Sequence, residues 1–515
     1  MVPMNKVKIT IKDGVPSLLD TLRSEGYFLP AYCGGRASCG KCRVRIAEGA
    51  PPPTEEDYRF LSREEISEGW RLACRIREPG EWEVELPAYS EEEIVAAGIF
   101  SHDGACSDRA CLNMTCLNTG CTPEISAGDQ ACALAVDIGT TTLAACLVRQ
   151  GTGEEKNPEP LRTVTGINHQ RVFGADVVSR INAASREKGG ELQRIIKEDL
   201  DGLCRKLGLA EKIQDLKMPV IISGNTTMQH LLQGLSCRTL GLYPFDPVDI
   251  SLHNYENMTI LPGISTFVGA DIVSGIVACG IDREEKISVY VDLGTNGEMA
   301  IGNRDRILAT STAAGPVFEG ACIRCGTAGI PGAIESVKII DGRAEVSTIG
   351  DLPPTGICGT GVLETLYALR QAGIVDETGL LSDQYFDEGF PLAEGIRFTQ
   401  GDIRETQYAK AAIRAGIEIL LSSYGVSWDQ VDRLYLAGGF GRKIDVEKAM
   451  GIGLLPEELK SRVTAVGNAS LAGAALYAAD PSSAERFIHV KEIAGEFHLA
   501  DHKDFQDLYV NYMFL

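Results

Sequence analysis

The sequence predicts a multidomain protein of the α+β and α/β classes, with one small N-terminal domain followed by two related halves. The chain of 515 residues is too long for a single hydrophobic core. A cysteine-rich loop lies between short alternating segments within residues 1–88. Further along, two similar segments each combine a buried strand with a turn that contains Asp, Gly and Thr, and helical and strand patterns alternate around them.

The composition is that of a folded, soluble protein. Hydrophobic residues make up 44% of the chain and charged residues 23%. No apolar run approaches the length of a membrane span, and the N-terminus lacks the pattern of a signal peptide. We therefore expect a cytoplasmic protein with no membrane partner. The net charge of -22 argues against nucleic acid as a partner, because nucleic acid attracts basic surfaces.

Cysteine spacing indicates an iron–sulfur centre in the first domain. Residues 6–12 alternate as a strand, residues 17–23 predict a short helix, and residues 82–86 predict a last strand. Between them, a C-x5-C-x2-C loop and one later cysteine supply Cys33, Cys39, Cys42 and Cys74. This spacing resembles [2Fe–2S] ferredoxins, specifically the adrenodoxin-like branch, since the plant-type loop has four residues in its first gap. Zinc ligands more often come as two short pairs. Residues 1–88 thus resemble a β-grasp ferredoxin domain.

A second group of cysteines occupies a predicted linker at residues 89–131. Four cysteines recur there at equal intervals in a segment with few apolar residues. A segment of this kind needs a bound group to hold it, and a [4Fe–4S] cluster is the first interpretation. Zinc and free or reversibly oxidised thiols are the alternatives. The cysteines concerned are Cys106, Cys111, Cys116 and Cys121.

The first half begins with a candidate phosphate-binding turn. Residues 135–142 read as a buried strand that ends in Asp137, Gly139, Thr140 and Thr141. Backbone N–H groups beside the glycine suit phosphate oxygens. The carboxylate is a candidate to hold Mg²⁺ or orient water. This half is predicted to extend over residues 132–286.

The second half, residues 287–515, repeats this arrangement. Its strand and turn at residues 289–298 carry Asp292, Gly294, Thr295 and Asn296. Two such units predict a phosphate held between related halves.

Two further turns complete the predicted nucleotide site. After the strand at residues 432–436, a glycine-rich turn with Gly438, Gly439 and Gly441 suits the adenosine of ATP. Asn225 follows another short strand, where it either faces the ligand or caps the next helix. The set of turns resembles the superfamily of actin, hexokinase and sugar kinases (ASKHA), which are two-lobed ATP-binding proteins.

The order of ferredoxin domain, linker and actin-like ATPase resembles the reductive activators of corrinoid proteins. The resemblance covers nearly the whole chain and rests on the cysteine loop and on the motifs at residues 137–141, 224–228, 292–298, 314–320, 438–441 and 504–507. Two features depart from the family pattern, namely the cysteines of residues 106–121 and the pair Cys322 and Cys325, which read as free thiols.

This resemblance implies an ATP-hydrolysing iron–sulfur oxidoreductase. The [2Fe–2S] cluster on the first four thiols would pass one electron to Co(II) of a corrinoid protein and regenerate Co(I). Asp137 and Asp292 would hold Mg²⁺ or water, and Thr140 and Thr295 would meet the phosphates of ATP. The implied partners are a corrinoid protein and an upstream low-potential electron donor, and a homodimer is one assembly compatible with the family.

Three other functions stay open at the level of sequence. The first is ATP-dependent electron donation to a different low-potential enzyme. The second is a small-molecule kinase with an attached redox domain. The third is a scaffold that binds nucleotide as a structural switch without turnover.

Overall fold

In a computed structural model of the chain, the structure describes residues 4–12, 17–25, 27, 29, 31, 33–37, 39–87, 132–150 and 158–515. The predicted linker at residues 89–131 lies outside the described residues, together with Cys106, Cys111, Cys116 and Cys121. In the described part of the chain, no helix is both long enough and apolar enough to cross a bilayer.

The first domain is built on a four-stranded antiparallel sheet in which its first and last strands are neighbours. Its sheet has the order β1-β4-β2-β3, formed by β1 (Met4–Ile11), β2 (Arg43–Arg45), β3 (Trp70–Leu72) and β4 (Gly80–Pro87). Its helices are α1 (Leu18–Ser24), α2 (Glu55–Phe60) and α3 (Arg63–Ser67). Alternate residues Ile9 and Ile11 of β1 are buried against Leu18 and Leu22 of α1. The strands and the helix predicted for this domain are confirmed.

The first lobe that follows contains a six-stranded sheet in the order β7-β6-β5-β8-β10-β9. Its strands are β5 (Cys132–Ile138), β6 (Thr142–Arg149), β7 (Glu159–Ile167), β8 (Val220–Gly224), β9 (His253–Tyr255) and β10 (Met258–Ile260). Its helices are α4 (Val177–Ala183), α5 (Gly189–Lys206), α6 (Thr226–Gln233) and α7 (Ala270–Cys279).

The second lobe contains a second six-stranded sheet and two small ones. Its strands are β11 (Ile287–Leu293), β12 (Gly297–Gly302), β13 (Ile307–Thr312), β14 (Ala333–Ile340), β15 (Arg343–Thr348), β16 (Gly356–Ile357), β17 (Phe390–Ala393), β18 (Ile396–Phe398), β19 (Val431–Ala437), β20 (Val463–Gly467) and β21 (Ala494–Glu496). Its helices are α8 (Gly359–Gln371), α9 (Asp383–Phe386), α10 (Gln400–Tyr424), α11 (Gly438–Lys443), α12 (Val446–Gly451), α13 (Ala469–Ala479), α14 (Ala484–Ile493) and α15 (Phe505–Asn511).

The two large sheets repeat one topology. In the first, β5 pairs antiparallel with β6 and parallel with β8, and β6 pairs antiparallel with β7. In the second, β11 pairs antiparallel with β12 and parallel with β19, and β12 pairs antiparallel with β13. The prediction of two related halves, each led by a strand that ends at an aspartate, is therefore confirmed.

Helices α7 and α13 pack against each other in one core shared by the two lobes. Because α13 also packs on β5 and β8 of the first lobe, a segment from near the end of the chain completes the start of the ATPase fold. Three hydroxyls link these elements, since Ser223 Oγ lies 2.9 Å from Ser274 Oγ and 2.9 Å from Ser470 Oγ. A Cβ atom placed on Gly473 of α13 would lie 2.2 Å from the carbonyl oxygen of Ser274.

This contact makes Gly473→Ala a test of the shared core. The added methyl group must push α7 and α13 apart, and overpacking of this kind costs about 1–3 kcal/mol. We expect urea denaturation to show a correspondingly lower free energy of unfolding. Gly190→Ala is the matched control, because Gly190 is exposed in α5 and no atom lies within 4 Å of its added Cβ. An equal loss in both variants would contradict the shared packing.

Candidate functional site

The first domain brings its four predicted cysteine ligands together. Cys33, Cys42 and Cys74 are buried and Cys39 is half-buried. The Sγ atoms of Cys33 and Cys39 are 3.4 Å apart. The thiol of Cys42 forms a hydrogen bond with that of Cys74, and this bond together with burial raises the pKa of Cys42. The thiols therefore form two close pairs.

Two pairs of thiols suit a cluster of two irons. Within the residues that the structure describes, no group of three or more His, Cys, Asp or Glu side chains is arranged to hold a single metal ion. A [2Fe–2S] cluster does not need such a group, since its two irons share four thiolates and two bridging sulfides. Gly40 keeps the loop compact. Its φ is +63°, and a Cβ there would lie 2.6 Å from the ring of Phe60.

The two predicted phosphate turns face each other across the cleft between the lobes. Asp137 is the next-to-last residue of β5, and it accepts hydrogen bonds from Asn468 Nδ2 at 2.8 Å and from Ser470 Oγ at 2.7 Å. Asp292 lies near the end of β11, where Tyr290 donates its hydroxyl proton at 3.3 Å. The lobes therefore bring both predicted aspartates to one site. Asn468 and Ser470 belong to the start of α13, and sequence reasoning assigned them no role.

Two further carboxyl groups, Asp271 and Glu298, share this cleft. Desolvation and the neighbouring charges of Asp292 and Asp137 raise the pKa of Asp271 to about 7. Desolvation and the charge of Asp137 raise the pKa of Asp292 to about 7. Burial also raises the pKa of Asp137 and that of Glu298. The cleft thus holds more negative charge than it can stabilise alone, an arrangement that favours a bound cation.

One carboxylate joins the two turns directly. The Thr141 hydroxyl donates to Oε2 of Glu319 at 2.7 Å, and the Thr295 hydroxyl donates to Oε1 at 2.9 Å. The two hydroxyl oxygens are themselves 3.5 Å apart. Sequence reasoning included Glu319 in a motif without giving it a function. Its position shows that a group with two acceptor oxygens fits between the threonines of the two lobes.

A buried arginine holds the first turn from behind. Arg180 is fully buried, and its Nη2 donates to the carbonyl oxygen of Thr140 at 2.5 Å. Its Nε donates to the carbonyl of Gly174 at 3.0 Å. Asn225 donates from Nδ2 to the Thr140 hydroxyl at 3.0 Å and caps α6 by accepting from the N–H of Met228. The predicted cap at Asn225 is therefore present, and the same side chain also reaches the turn.

The glycines of the first two turns permit close backbone packing. A Cβ on Gly139 would lie 2.5 Å from the carbonyl oxygen of Thr142. In the second turn, the N–H of Gly294 donates to the carbonyl of Asn296, and the Asn296 side chain bonds to Glu298.

The third predicted turn lies beside Asp292. It forms the first turn of α11 after β19 rather than an open loop. Gly438 has φ +89°, and a Cβ there would lie 2.8 Å from Oδ1 of Asp292. Gly439 is exposed with open space at its Cβ position, whereas Gly441 packs against Leu436. The three glycines therefore differ in environment, and Gly439 is the one that leaves room for a ligand.

These features define an iron–sulfur protein with a two-lobed ASKHA domain. Residues 3–77 match the 2Fe-2S iron-sulfur cluster binding domain, residues 132–284 match the RACo middle region, and residues 286–515 match the C-terminal domain of RACo, the ASKHA domain. The corrinoid activation enzyme RamQ of Eubacterium limosum is 32% identical over 425 residues, which are 74% of this chain and 70% of that protein. The chain belongs to this family of corrinoid activation proteins.

Other comparisons agree with this assignment. A solved structure described as a reductive activator for corrinoid, iron-sulfur protein matches with a TM-score of 0.68 and 27% identity, covering 99% of this chain and 98% of that one. A [Co(II) methylated amine-specific corrinoid protein] reductase from Methanosarcina barkeri is 28% identical over 283 residues, about half of each chain (50% and 51%). One component of the Na(+)-translocating NADH-quinone reductase of Actinobacillus succinogenes is 40% identical over 70 residues, 14% of this chain and 17% of that protein.

The cluster site gives a direct prediction for Cys42→Ser. Because the variant leaves one iron with a single cysteine thiolate, we expect the reconstituted protein to lose the EPR signal of its reduced two-iron cluster. Cys204→Ser is the matched control, since Cys204 is a buried thiol of α5 in the core of the first lobe. An unchanged signal in Cys42→Ser would contradict ligation by this residue.

The cleft carboxylates predict that the metal-free protein becomes less stable as the pH rises. A carboxyl group with a pKa of about 7 in the folded state and an ordinary pKa of 3.8 in the unfolded chain binds its proton more tightly when folded. Its stabilising contribution is complete below pH 3.8 and is lost as the pH approaches and passes 7. Asp292→Asn, measured by thermal unfolding with a chelator, should be more stable than wild type at pH 8 by up to about 4 kcal/mol and similar at pH 4. Asp305→Asn, at an exposed position, is the control and should be as stable as wild type at both pH values. An effect of Asp292→Asn that does not change with pH would refute this linkage.

Proposed function

We propose that this protein is an ATP-dependent reductive activator of a corrinoid protein, which transfers one electron from its [2Fe–2S] cluster to Co(II) and regenerates Co(I). The observation that carries the proposal is that one chain joins a site of four cysteine thiols to a cleft whose two lobes meet through paired phosphate turns. The family assignment and the names of the relatives support the corrinoid protein as the client.

The cleft offers a role for each predicted nucleotide-binding residue. Asp137 and Asp292 would hold Mg²⁺ or orient water. Two carboxylates suffice for this ion, because Mg²⁺ commonly takes its remaining ligands from phosphate and water. The hydroxyls of Thr140, Thr141 and Thr295 would donate to phosphate oxygens, together with backbone N–H groups that lie beside Gly139 and Gly294.

The adenosine of ATP would lie against α11. Gly439 leaves open space there, Gly438 keeps the helix close to Asp292, and Gly441 keeps it close to β19. Asn225 would act through Thr140, whose hydroxyl it already orients. Asn296 would position Glu298 in the second turn.

Binding of a triphosphate must displace Glu319. A phosphate group presents the same kind of acceptor oxygens as this carboxylate, and the hydroxyls of Thr141 and Thr295 cannot serve both at full strength. Two negative groups at one position also repel each other. ATP therefore exchanges one bridge between the lobes for another, and such an exchange can drive a change in how the lobes close.

ATP supplies the drive for an unfavourable electron transfer. For one electron, each 59 mV of unfavourable potential lowers the equilibrium constant tenfold. A [2Fe–2S] cluster, when bound, stores and releases single electrons. The four cysteine thiolates would hold it and shield it from water on the buried side of the loop, so that the electron leaves through the exposed face.

The remaining assignments are part of the same proposal. The domains comprise residues 1–88, 89–131, 132–286 and 287–515. Cys106, Cys111, Cys116 and Cys121 would hold a second iron–sulfur cluster, of the [4Fe–4S] type. The protein works in the cytoplasm and receives its electrons from a low-potential donor, and a homodimer is compatible with this scheme.

The proposal is tested with Asp137→Asn. The protein is reconstituted anaerobically with iron and sulfide, its cluster is reduced with titanium(III) citrate and freed of excess reductant, and the optical spectrum of a Co(II) corrinoid protein is followed with and without MgATP. Wild type should form Co(I) at a rate that depends on ATP, and the variant should lose about 10–100-fold of that rate, since it weakens metal binding while the cluster EPR signal stays intact.

Asp429→Asn, an exposed aspartate in the second lobe, is the control and should behave as wild type. Equal rates of Co(I) formation with and without nucleotide would refute the proposal. Phosphorylation of a small molecule with no reduction of cobalt would instead favour a kinase.

A further inference from the structure

The loop that carries three of the four cluster ligands also contacts the second lobe. This cluster loop, residues 33–37 and 39–42, includes Lys41, whose Nζ donates to the carbonyl oxygen of Ile323 at 2.8 Å. The same ammonium lies 3.4 Å from the carbonyl oxygens of Arg324 and Gly326. An ammonium group has three N–H donors, so three converging carbonyls match its full capacity. Lys41 is half-buried in this contact.

The cluster loop contacts the first lobe as well. Arg36 Nη2 lies 3.3 Å from Oδ2 of Asp176, which caps α4. Backbone packing accompanies this ion pair, since a Cβ on Gly34 would lie 3.0 Å from the carbonyl oxygen of Phe173. The Arg36 side chain is 55% exposed, so the ion pair contributes little alone. It nevertheless places the loop across both lobes.

Each contact joins an element that also holds a phosphate turn. On the first lobe, Asp176 begins the helix from which Arg180 donates to the carbonyl of Thr140. On the second lobe, Lys41 donates to residues 322–326, which we call the receptor loop. Glu319, which bridges the two threonines, precedes this loop with only Gly320 and Ala321 between them.

The receptor loop is too tightly folded to absorb a movement of Glu319. A Cβ on Gly326 would lie 1.9 Å from the carbonyl oxygen of Gly320, so the two ends of the segment touch. The N–H of Arg324 donates to Oδ1 of Asp402 at 2.6 Å, which fixes the middle of the loop to α10. A displacement that moves the backbone of Glu319 is therefore transmitted either to the carbonyls that hold Lys41 or to one of these contacts.

We infer that the mouth of the nucleotide cleft is a docking surface for the cluster loop of the same chain, and that phosphate binding releases the loop by displacing Glu319. The docking follows from the contacts, whereas the release rests on the proposed nucleotide function. While docked, the loop turns the edge formed by Arg36 and Lys41 toward the ATPase lobes. Release frees that edge for an external electron acceptor.

Hydrogen–deuterium exchange of the full-length, cluster-loaded protein tests the docking. We expect Lys41→Gln, without nucleotide, to raise the exchange rates of the amides at residues 322–326 by about tenfold, because the loop loses its ammonium partner. Lys8→Gln, on an exposed residue of β1, is the matched control and should change nothing. Unchanged exchange in Lys41→Gln would overturn the docking.

Arg36→Gln provides an independent variant if Lys41→Gln does not fold. It should raise exchange at residues 173–180 of the first lobe, where the cluster loop rests, and leave the thermal midpoint unchanged because Arg36 is largely exposed. Wild-type exchange there would overturn the contact with this lobe.

The magnesium complex of a non-hydrolysable ATP analogue tests the release. In wild type it should raise exchange at residues 322–326 to the level of Lys41→Gln, and it should add nothing in that variant. Calorimetry measures binding of the analogue in parallel. Binding without a change in exchange would overturn the release alone. If the analogue does not bind, the proposed function is refuted and the release with it. The comparison of wild type with Lys41→Gln in the absence of nucleotide would still decide whether the loop docks.

Discussion

The structure depends on one carboxylate held between two hydroxyls. Glu319 accepts from Thr141 of the first lobe and from Thr295 of the second, and it thereby bridges the two phosphate turns. Burial raises the pKa of Glu319, while the two hydroxyl donors and the charge of Arg180 lower it. The group is therefore stabilised only by partners that belong to different lobes. A carboxylate in this situation responds to any anion that enters the cleft, because the anion competes for the same donors.

The cleft as a whole is less stable than the lobes that surround it. Its carboxyl groups have raised pKa values because they are desolvated near one another, whereas the adjoining cores are apolar and closely packed. A cation and a phosphate would relieve this repulsion, so the energetic cost of the clustered carboxyl groups would become binding free energy for the complete ligand. The four thiols of the first domain follow the same principle. Metal ions bind thiolates and release their protons, so paired, buried thiols are stabilised when a cluster binds.

Local patterns predicted the parts of the fold that local forces determine. The strands that end at Asp137 and Asp292, the cysteine loop and the cap at Asn225 are each specified within a few residues of sequence. The parts of the site that the sequence did not predict come from segments distant in the chain. Asn468 and Ser470 approach Asp137 only because α13 packs on the first lobe, and Arg180 reaches Thr140 from the interior of an ordinary helix. Neither pattern differs from that of a common cap or core helix, so a single sequence gives no signal for them. Close packing also explains two glycines of α8, since Gly359 and Gly361 lie against the carbonyls of Phe318 and Ile334.

The shared core of α7 and α13 also affects biosynthesis. Asp137 and its partner Asn468 are separated by 331 residues, so at about 5–20 residues per second the ribosome finishes the first strand of the ATPase roughly 15–70 s before it supplies that partner. During this interval the nascent first lobe carries an incomplete apolar face and a carboxylate without its two donors. We expect a chaperone or the ribosome surface to cover this apolar face. A messenger RNA truncated before α13 would yield a polypeptide that quality-control proteases should remove.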